Sequence, residues 1–332
     1  MKLIIDLLGT DLGPKEVVLG VIDSLKKTNL NFILVGPEKI ARETIKEQNA
    51  DINRFEFIDT NVYISNEEDP ARTLRVKKDS SLVLGLNRLN EEGEGFLSGG
   101  STGALLAGGL FITKRIGNIK RATLMAPIPN ADGGITLLAD TGAVVDTTPE
   151  MLSQFASLGS IVARDYLKKT NPKIYLLNVG TEEGKGDNRT KEAYKLIKEN
   201  SNLNFVGNIE ARDFLDGKAD VIVADGFSGN VMLKATEGAY SFIFSELKSA
   251  LTSSLKTKIG GALLKSSLIG FKDKYDYKKV GAAMLVGVNK PLFKAHGNSN
   301  RLAIEFAIYQ AEKFLEGNIT ESIKEEFIDK EK

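Results

Sequence analysis

The spacing of apolar residues changes repeatedly along the chain. Short continuous apolar runs occur at Leu3-Ile4-Ile5, Phe32-Ile33-Leu34-Val35, Ala122-Thr123-Leu124-Met125, Ile135-Thr136-Leu137-Leu138, Ile174-Tyr175-Leu176-Leu177 and Val221-Ile222-Val223. Most are apolar at successive positions, so both faces avoid water. Strands covered by helices on both sides read this way. Between the runs, segments 15–27, 38–49, 81–92, 149–169 and 187–200 carry the spacing of amphipathic helices. Strand and helix therefore alternate. The order predicts an α/β fold: one three-layer α/β/α sandwich over residues 1–332, built on a largely parallel, mixed sheet.

One segment departs from the alternation. Apolar residues fall at 244, 247, 251, 255, 259 and 263, which predicts an amphipathic helix interrupted at Gly260-Gly261. A more apolar stretch continues to Phe271. Residues 248–279 hold lysines at 248, 256, 258, 265, 272, 274, 278 and 279 against Asp273 and Asp276, while the whole chain is formally neutral. Segment 240–280 is expected to protrude as a basic helical arm.

Several strand-like runs end in loops rich in Gly, Asp and Asn. These are "IDLLGTDLGP" (5–14), "SGGSTGALLAGG" (98–109), "LADTGAVVDTTPE" (138–150), "NVGTEEGKG" (178–186), "ADGFSGN" (224–230) and "KAHGNSN" (294–300). Ligands of open α/β sheets bind beyond the carboxyl ends of strands, so the loops predict one shared crevice. Gly99 and Gly100 let backbone approach a ligand closely, and Ser101 or Thr102 caps the next helix. The amides of Thr102, Gly103 and Ala104 then offer an anion site without a cationic side chain. Neither a Walker lysine nor Gly-x-Gly-x-x-Gly spacing is present. The competing reading is a capped turn whose small residues pack a helix on the sheet.

The other loops carry similar pairs of readings. Lys185, between two glycines, either closes over an anion or is solvated. Asp225 ends a strand, Gly226 and Gly229 permit a tight turn, and Asn230 is expected to open a helix. His296 is catalytic or structural. Arg72, Arg75, Lys77 and Lys78 precede a helix capped by Asp79 or a serine, and form either a solvated face or one turned to an anion.

Composition narrows the chemistry. The chain has 44 basic and 44 acidic residues, no cysteine, no tryptophan and one histidine. Disulfides, Cys-ligated metals, a cysteine nucleophile and multi-histidine metal sites are excluded. Neutral net charge disfavours a globally basic nucleic-acid binder. No apolar run approaches the ~18 residues of a membrane span, and the N-terminal residues show no signal-peptide pattern. The expectation is a cytoplasmic protein.

In their order and spacing, these loops together with "KKDSSLVLGL", "GAVVDTTPEMLSQFASLGS", "NFVGNIEARD" and "ADVIVADGFSGNVMLKATEG" resemble the PlsX-type phosphate acyltransferases almost end to end. The resemblance implies a homodimer with an isopropylmalate-dehydrogenase-like fold. It implies transfer of a fatty acyl group from acyl carrier protein to inorganic phosphate, giving acyl phosphate for phospholipid synthesis. No cofactor, metal or nucleic-acid partner is expected. Carried onto this chain, the resemblance marks Lys185, His296, Asp225 and Asn230 as catalytic. It marks Asp6, Gly9, Gly100, Ser101, Thr102, Gly103, Ala104, Asn178, Gly226 and Asn298 as substrate- or phosphate-binding.

The arm, through Lys256, Lys258, Leu263, Leu264, Lys265, Leu268, Ile269 and Phe271, would face acyl carrier protein or an anionic membrane. Otherwise it packs in the dimer with its lysines solvated. The opening loop departs from the family's Asp-x-Met-Gly-Gly-Asp-His-x-Pro at Leu8, Thr10 and Leu12, and Ser101 stands where asparagine is common. A relative acting on a short-chain thioester, or a non-catalytic acyl-carrier or membrane binder, are the alternatives.

Phosphate is already a charged nucleophile near neutral pH, and the leaving thiolate needs little acid help. Direct attack without a covalent enzyme intermediate is therefore expected. Asp6 would accept hydrogen bonds from loop amides or pair with a cation such as Lys185, with a divalent metal between Asp6 and Asp11 as the alternative.

Overall fold

Leu3, Ile4 and Ile5 on strand β1 (Lys2–Asp6) are all fully buried. Leu3 and Ile5 enter the core on one sheet face, and Ile4 enters the core on the other. This alternation is what a continuous apolar run produces when helices cover both faces. The computed structural model describes residues 1–275 and 279–328. The remaining strands are β2 (Asn31–Gly36), β3 (Phe55–Asp59), β4 (Gly95–Ser98), β5 (Thr123–Pro129), β6 (Ile135–Ala139), β7 (Lys173–Leu177), β8 (Asn204–Ile209), β9 (Val221–Val223), β10 (Ala283–Val286) and β11 (Leu292–Lys294). The helices are α1 (Gly13–Ser24), α2 (Glu38–Glu47), α3 (Pro70–Val76), α4 (Ser81–Glu91), α5 (Thr102–Gly108), α6 (Pro149–Asp165), α7 (Asn188–Glu199), α8 (Gly226–Thr252), α9 (Leu255–Leu263), α10 (Lys265–Lys274), α11 (Arg301–Glu316) and α12 (Ile319–Phe327).

The strands form one mixed sheet, in the order β3-β2-β1-β4-β11-β10-β5-β6-β9-β7-β8. Strands β3, β2, β1, β4 and β11 run parallel, and β10 runs against both β11 and β5. Beyond β5 the direction reverses, so β6, β9, β7 and β8 run against β5 but parallel to one another. Register makes the two halves meet. Strand β11 ends with Lys294 opposite Ala283, next to the Met284–Met125 pair. Strand β6 approaches from the other direction, with Leu138 opposite Ala126. Carboxyl ends from both halves therefore converge beside the middle of β5.

One face of the sheet carries a continuous core, with side chains from α1, α2, α6, α7, α11 and α12. The other face carries two separate cores. One packs α4 and α5 on β1 and β4, and the other packs α8 on β6 and β9. Ala283 of β10 touches both. The gap between them, over β10 and β5, is a crevice.

Two local expectations change. Asp225, not Asn230, opens α8: its carboxylate accepts from the Ser228 amide at 2.9 Å, so the helix begins at Gly226. The arm breaks at Ser253-Ser254, and Gly260-Gly261 lie inside α9. The reason is a capping box in which Ser254 and Thr257 each bond the other's backbone amide, which starts a new helix there. Helix α10 folds back on α8 through Phe271 against Phe244 and Tyr275 against Tyr240. Leu255, Ile259, Leu263 and Leu264 stay exposed. Asp276 and Lys278 lie outside the described residues.

Candidate active site

The crevice has a volume of about 130 Å³, room for a few water-sized groups at ~30 Å³ each. Its floor is Leu124, Ala126 and Ile128 of β5 with Ala283 of β10. Thr102 of α5 and the Lys294–His296 segment form one wall, and Asn230, Lys234 and Glu237 of α8 form the other. Thr141, which follows β6, lies between them. Four of the six loops expected to share a crevice, those after β4, β6, β9 and β11, thus meet at one cavity, while the opening loop and the loop after β7 do not line it.

On α8, Glu237 bridges the two walls. Its carboxylate accepts from His296 Nε2 at 3.2 Å and from Lys234 Nζ at 2.9 Å. Burial opposes its ionisation, but the bonds from His296 and Lys234 outweigh burial and hold the carboxyl below its usual value. The result is an oriented imidazole at the mouth of an anion-sized cavity.

Three neighbouring strands end in a row beside it. Asp6 of β1 is in register with Ser98 of β4, and Ser98 with Lys294 of β11. Ser98 Oγ donates to Asp6 Oδ2 at 2.8 Å and accepts from the Gly100 amide at 3.0 Å. The Leu8 amide also donates to Asp6, at 3.0 Å. Burial raises the Asp6 pKa, and hydrogen bonds from Ser81, Leu8 and Ser98 partly offset it. The cation near Asp6 is Lys294, not Lys185: Lys185 follows β7, seven strands away at ~4.8 Å per strand. Through Ser98, Asp6 thus helps to fix the Gly99–Gly100 turn. Ser98→Ala should lower stability by about 1–3 kcal/mol, because it removes one hydrogen bond from the buried Asp6 carboxyl and the Ser98 acceptor from the Gly100 amide. A denaturant midpoint unchanged from wild type would remove this role.

The opening loop buttresses the turn. Gly9 has φ +78°, and a Cβ there would lie 2.8 Å from Gly100 Cα, so only glycine fits. The Asp11 amide donates to Gly297 O at 2.8 Å, tying the loop to the His296 segment. Thr10, in place of the family's second glycine, packs its methyl against Gly99. Leu12 is half exposed.

The predicted anion cradle is narrower than expected. Ser101 caps α5 and accepts from the Ala104 amide at 3.4 Å, and Ala104 is fully buried, so its amide serves the cap. Gly103 lies under the Pro70 ring of α3. Thr102 alone of the three lines the crevice.

The opposite wall rests on Asp140, which is fully buried after β6. Its carboxylate accepts from the amides of Leu124, Ala143 and Val144 at 2.8, 3.1 and 2.6 Å. Burial pushes its pKa up, and these bonds partly offset the rise. Gly226 and Gly229 press the start of α8 against this loop.

The remaining predicted residues lie elsewhere. Asp225 binds Arg189 at 3.0 Å and lines, with Asn178 and Arg189, a groove of about 850 Å³ on the far flank of α8. That groove is walled by Phe227, Val231, Ala235, Ala239 and Ile243, and it meets the crevice at Thr236 and Tyr240. Lys185 is half exposed, 3.8 Å from Glu182, and lines neither cavity. Asn298 sits behind His296 in a small separate pocket. Among the described residues no group of three or more His, Asp or Glu is placed to hold a metal ion.

Lys294, Ser98, Lys234, Glu237 and Asp140 were not singled out from the sequence. Lys294 stands inside a motif that was, two positions before His296. Glu237 and Lys234 look like ordinary helix-surface charges in sequence, and Asp140 looks like a turn residue.

The chain matches the model of a family described as fatty acid synthesis protein over residues 1–322. A phosphate acyltransferase of Oceanobacillus iheyensis is 45% identical over 325 residues, covering 97% of this chain and 96% of that one. One from Clostridium tetani is 44% identical over 330 residues, covering 99% and 98%. Among solved structures, the EutD phosphotransacetylase from Staphylococcus aureus superposes with a TM-score of 0.60 at 16% identity, covering 96% of this chain and 94% of that one. A 4-hydroxythreonine-4-phosphate dehydrogenase from Klebsiella pneumoniae gives 0.52 at 12% identity, covering 95% and 99%. These two share the fold.

Proposed function

The chain belongs to the fatty acid synthesis protein family and acts as a phosphate acyltransferase, and on that premise we propose that the crevice between α5 and α8 is where an acyl group passes from acyl carrier protein to inorganic phosphate. The supporting observation is convergence: Thr102 at the α5 N-terminus and His296 on one wall, and Asn230 and Glu237 on the other, line one small cavity.

Phosphate sits against Thr102 at the helix N-terminus. A phosphate oxygen attacks the thioester carbonyl carbon, forming the C–O bond. His296, held by Glu237, stabilises the tetrahedral oxyanion. The C–S bond then breaks, acyl phosphate forms, and the pantetheine thiolate leaves and takes a proton from water. Asn230 and Thr141 hydrogen-bond the pantetheine amides. The acyl chain reaches the apolar groove past Thr236 and Tyr240. Lys185 lines neither cavity and is given no role in this step, and Asp225 holds the start of α8.

The test incubates the protein with acyl carrier thioesters and phosphate. Thiol release should require phosphate, and hydroxylamine should trap the acyl phosphate. Release at the same rate without phosphate, or none with any chain length, overturns the reading. A preference for short acyl chains would favour the short-chain alternative.

The arm is the second surface of this proposal. Exposed Leu255, Ile259, Leu263 and Leu264 beside Lys256, Lys258 and Lys265 suit an anionic partner, either membrane or acyl carrier protein. No described helix is long and apolar enough to cross a membrane. The protein should float with anionic vesicles, and Leu263→Glu should weaken this severalfold. Equal flotation of the variant and wild type argues for the dimer-packing reading instead.

A further inference from the structure

Lys294 is an unusual lysine for its place. It ends β11 at the crevice wall, partly buried. Its ammonium donates to Gly99 O at 3.3 Å and to Ala295 O. Among the described residues no carboxylate lies within ion-pair distance of it. An ammonium has three N–H donors, and two carbonyls do not neutralise it.

Lys234, on the facing wall, is close enough to repel it. Two ammonium groups flanking one small cavity are stabilised by an anion between them. Gly99, which holds the Lys294 ammonium, belongs to the turn fixed by the Asp6–Ser98–Gly100 chain. That turn leads directly into Ser101 and Thr102. Lys294 and the α5 N-terminus are therefore held in one geometry by one network.

We infer that Lys294 is a ligand of the phosphate substrate, binding it from the crevice wall opposite Lys234 and beside Thr102. This rests on the phosphate acyltransferase reading and adds to it a cation on the same wall as Thr102.

The charge balance at Lys294 has a consequence for pH. Burial first, and then Lys234, hold its pKa down at about 8. Asp6 and Asp11 oppose this from the β1 side, and Glu237 and His296 are the other titratable groups lining or facing the cavity. A bound phosphate favours the ammonium form, so phosphate binding is strongest below that pKa and weakens as pH rises through it. The second ionisation of phosphate acts the other way, because it enriches the dianion as pH rises.

The experiment measures phosphate affinity directly, by calorimetry with inorganic phosphate, and separately as KM in turnover. Wild type should lose affinity about tenfold between pH 7.5 and 9.5. Lys294→Arg, which keeps its charge, should show little loss over the same range. Lys294→Met at pH 7.5 should raise KM for phosphate about tenfold or more, with kcat changed far less. Its melting point in phosphate-free buffer checks that it is folded. A KM within twofold of wild type in folded Lys294→Met overturns the inference. So does a wild-type affinity that is flat across the pH range, a result that holds even if the methionine variant fails to fold. If wild type binds phosphate in this pH-dependent way but releases no thiol, the functional reading fails and the binding site stands.

Discussion

Gly229→Ala should be among the most destabilising single substitutions in the protein. A Cβ at Gly229 would lie 1.9 Å from the Asp140 carbonyl oxygen, and that atom is backbone in a loop pinned by three amide bonds to a buried carboxylate. Neither side can yield locally. Relief requires α8 to lift from the loop after β6, which separates Asn230 from Thr141. The cost is expected at about 3 kcal/mol, the upper part of the range for overpacked sites. For a chain of this size that corresponds to a melting point lowered by roughly 5 °C. Phosphate-dependent thiol release should fall with it, because one crevice wall has moved. Thermal unfolding followed by circular dichroism decides the matter. A variant that melts with wild type would mean that α8 does not press on this loop.

His296→Ala should lower kcat about a hundredfold, the lower part of the range for removing one oxyanion-stabilising donor. Its bond to Glu237 at 3.2 Å holds the ring at the wall of a cavity of about 130 Å³. Glu237→Gln keeps the shape and a hydrogen-bond acceptor but loses the charge that holds both His296 and Lys234. A fall of about tenfold is expected there, smaller because the imidazole remains. Steady-state kinetics with saturating thioester separates kcat from KM for phosphate. If His296→Ala turns over within twofold of wild type, His296 is structural and the oxyanion is stabilised elsewhere.

Thr102, Asn230 and His296 could be singled out in the sequence because each lies on or just past a loop that follows a strand, and strand ends are marked by local composition. The arm was legible for a similar reason: its apolar spacing and lysines need no tertiary information. The break within it was misplaced, since glycine pairs suggest breaks while the Ser254–Thr257 capping box sets one. Lys185 and His296 looked alike in the sequence, as polar residues on glycine-bearing loops. Strand order separates them, since β7 and β11 lie on opposite sides of the β5–β6 reversal.

The sequence by itself determined the α/β/α sandwich, the family and the set of Gly- and Asp-rich loops after the strands, because periodicity, capping and turn residues act over a few positions. Only the tertiary structure decided which loops meet. That depends on register between strands far apart in the chain: Asp6 and Ser98 are 92 positions apart, and Lys294 and Gly99 are 195 apart. A lysine two residues before the histidine becomes a phosphate ligand only when β11 pairs with β4 and stops where β6 arrives from the other side. Backbone hydrogen bonding between strands sets that meeting point, and no local pattern encodes it.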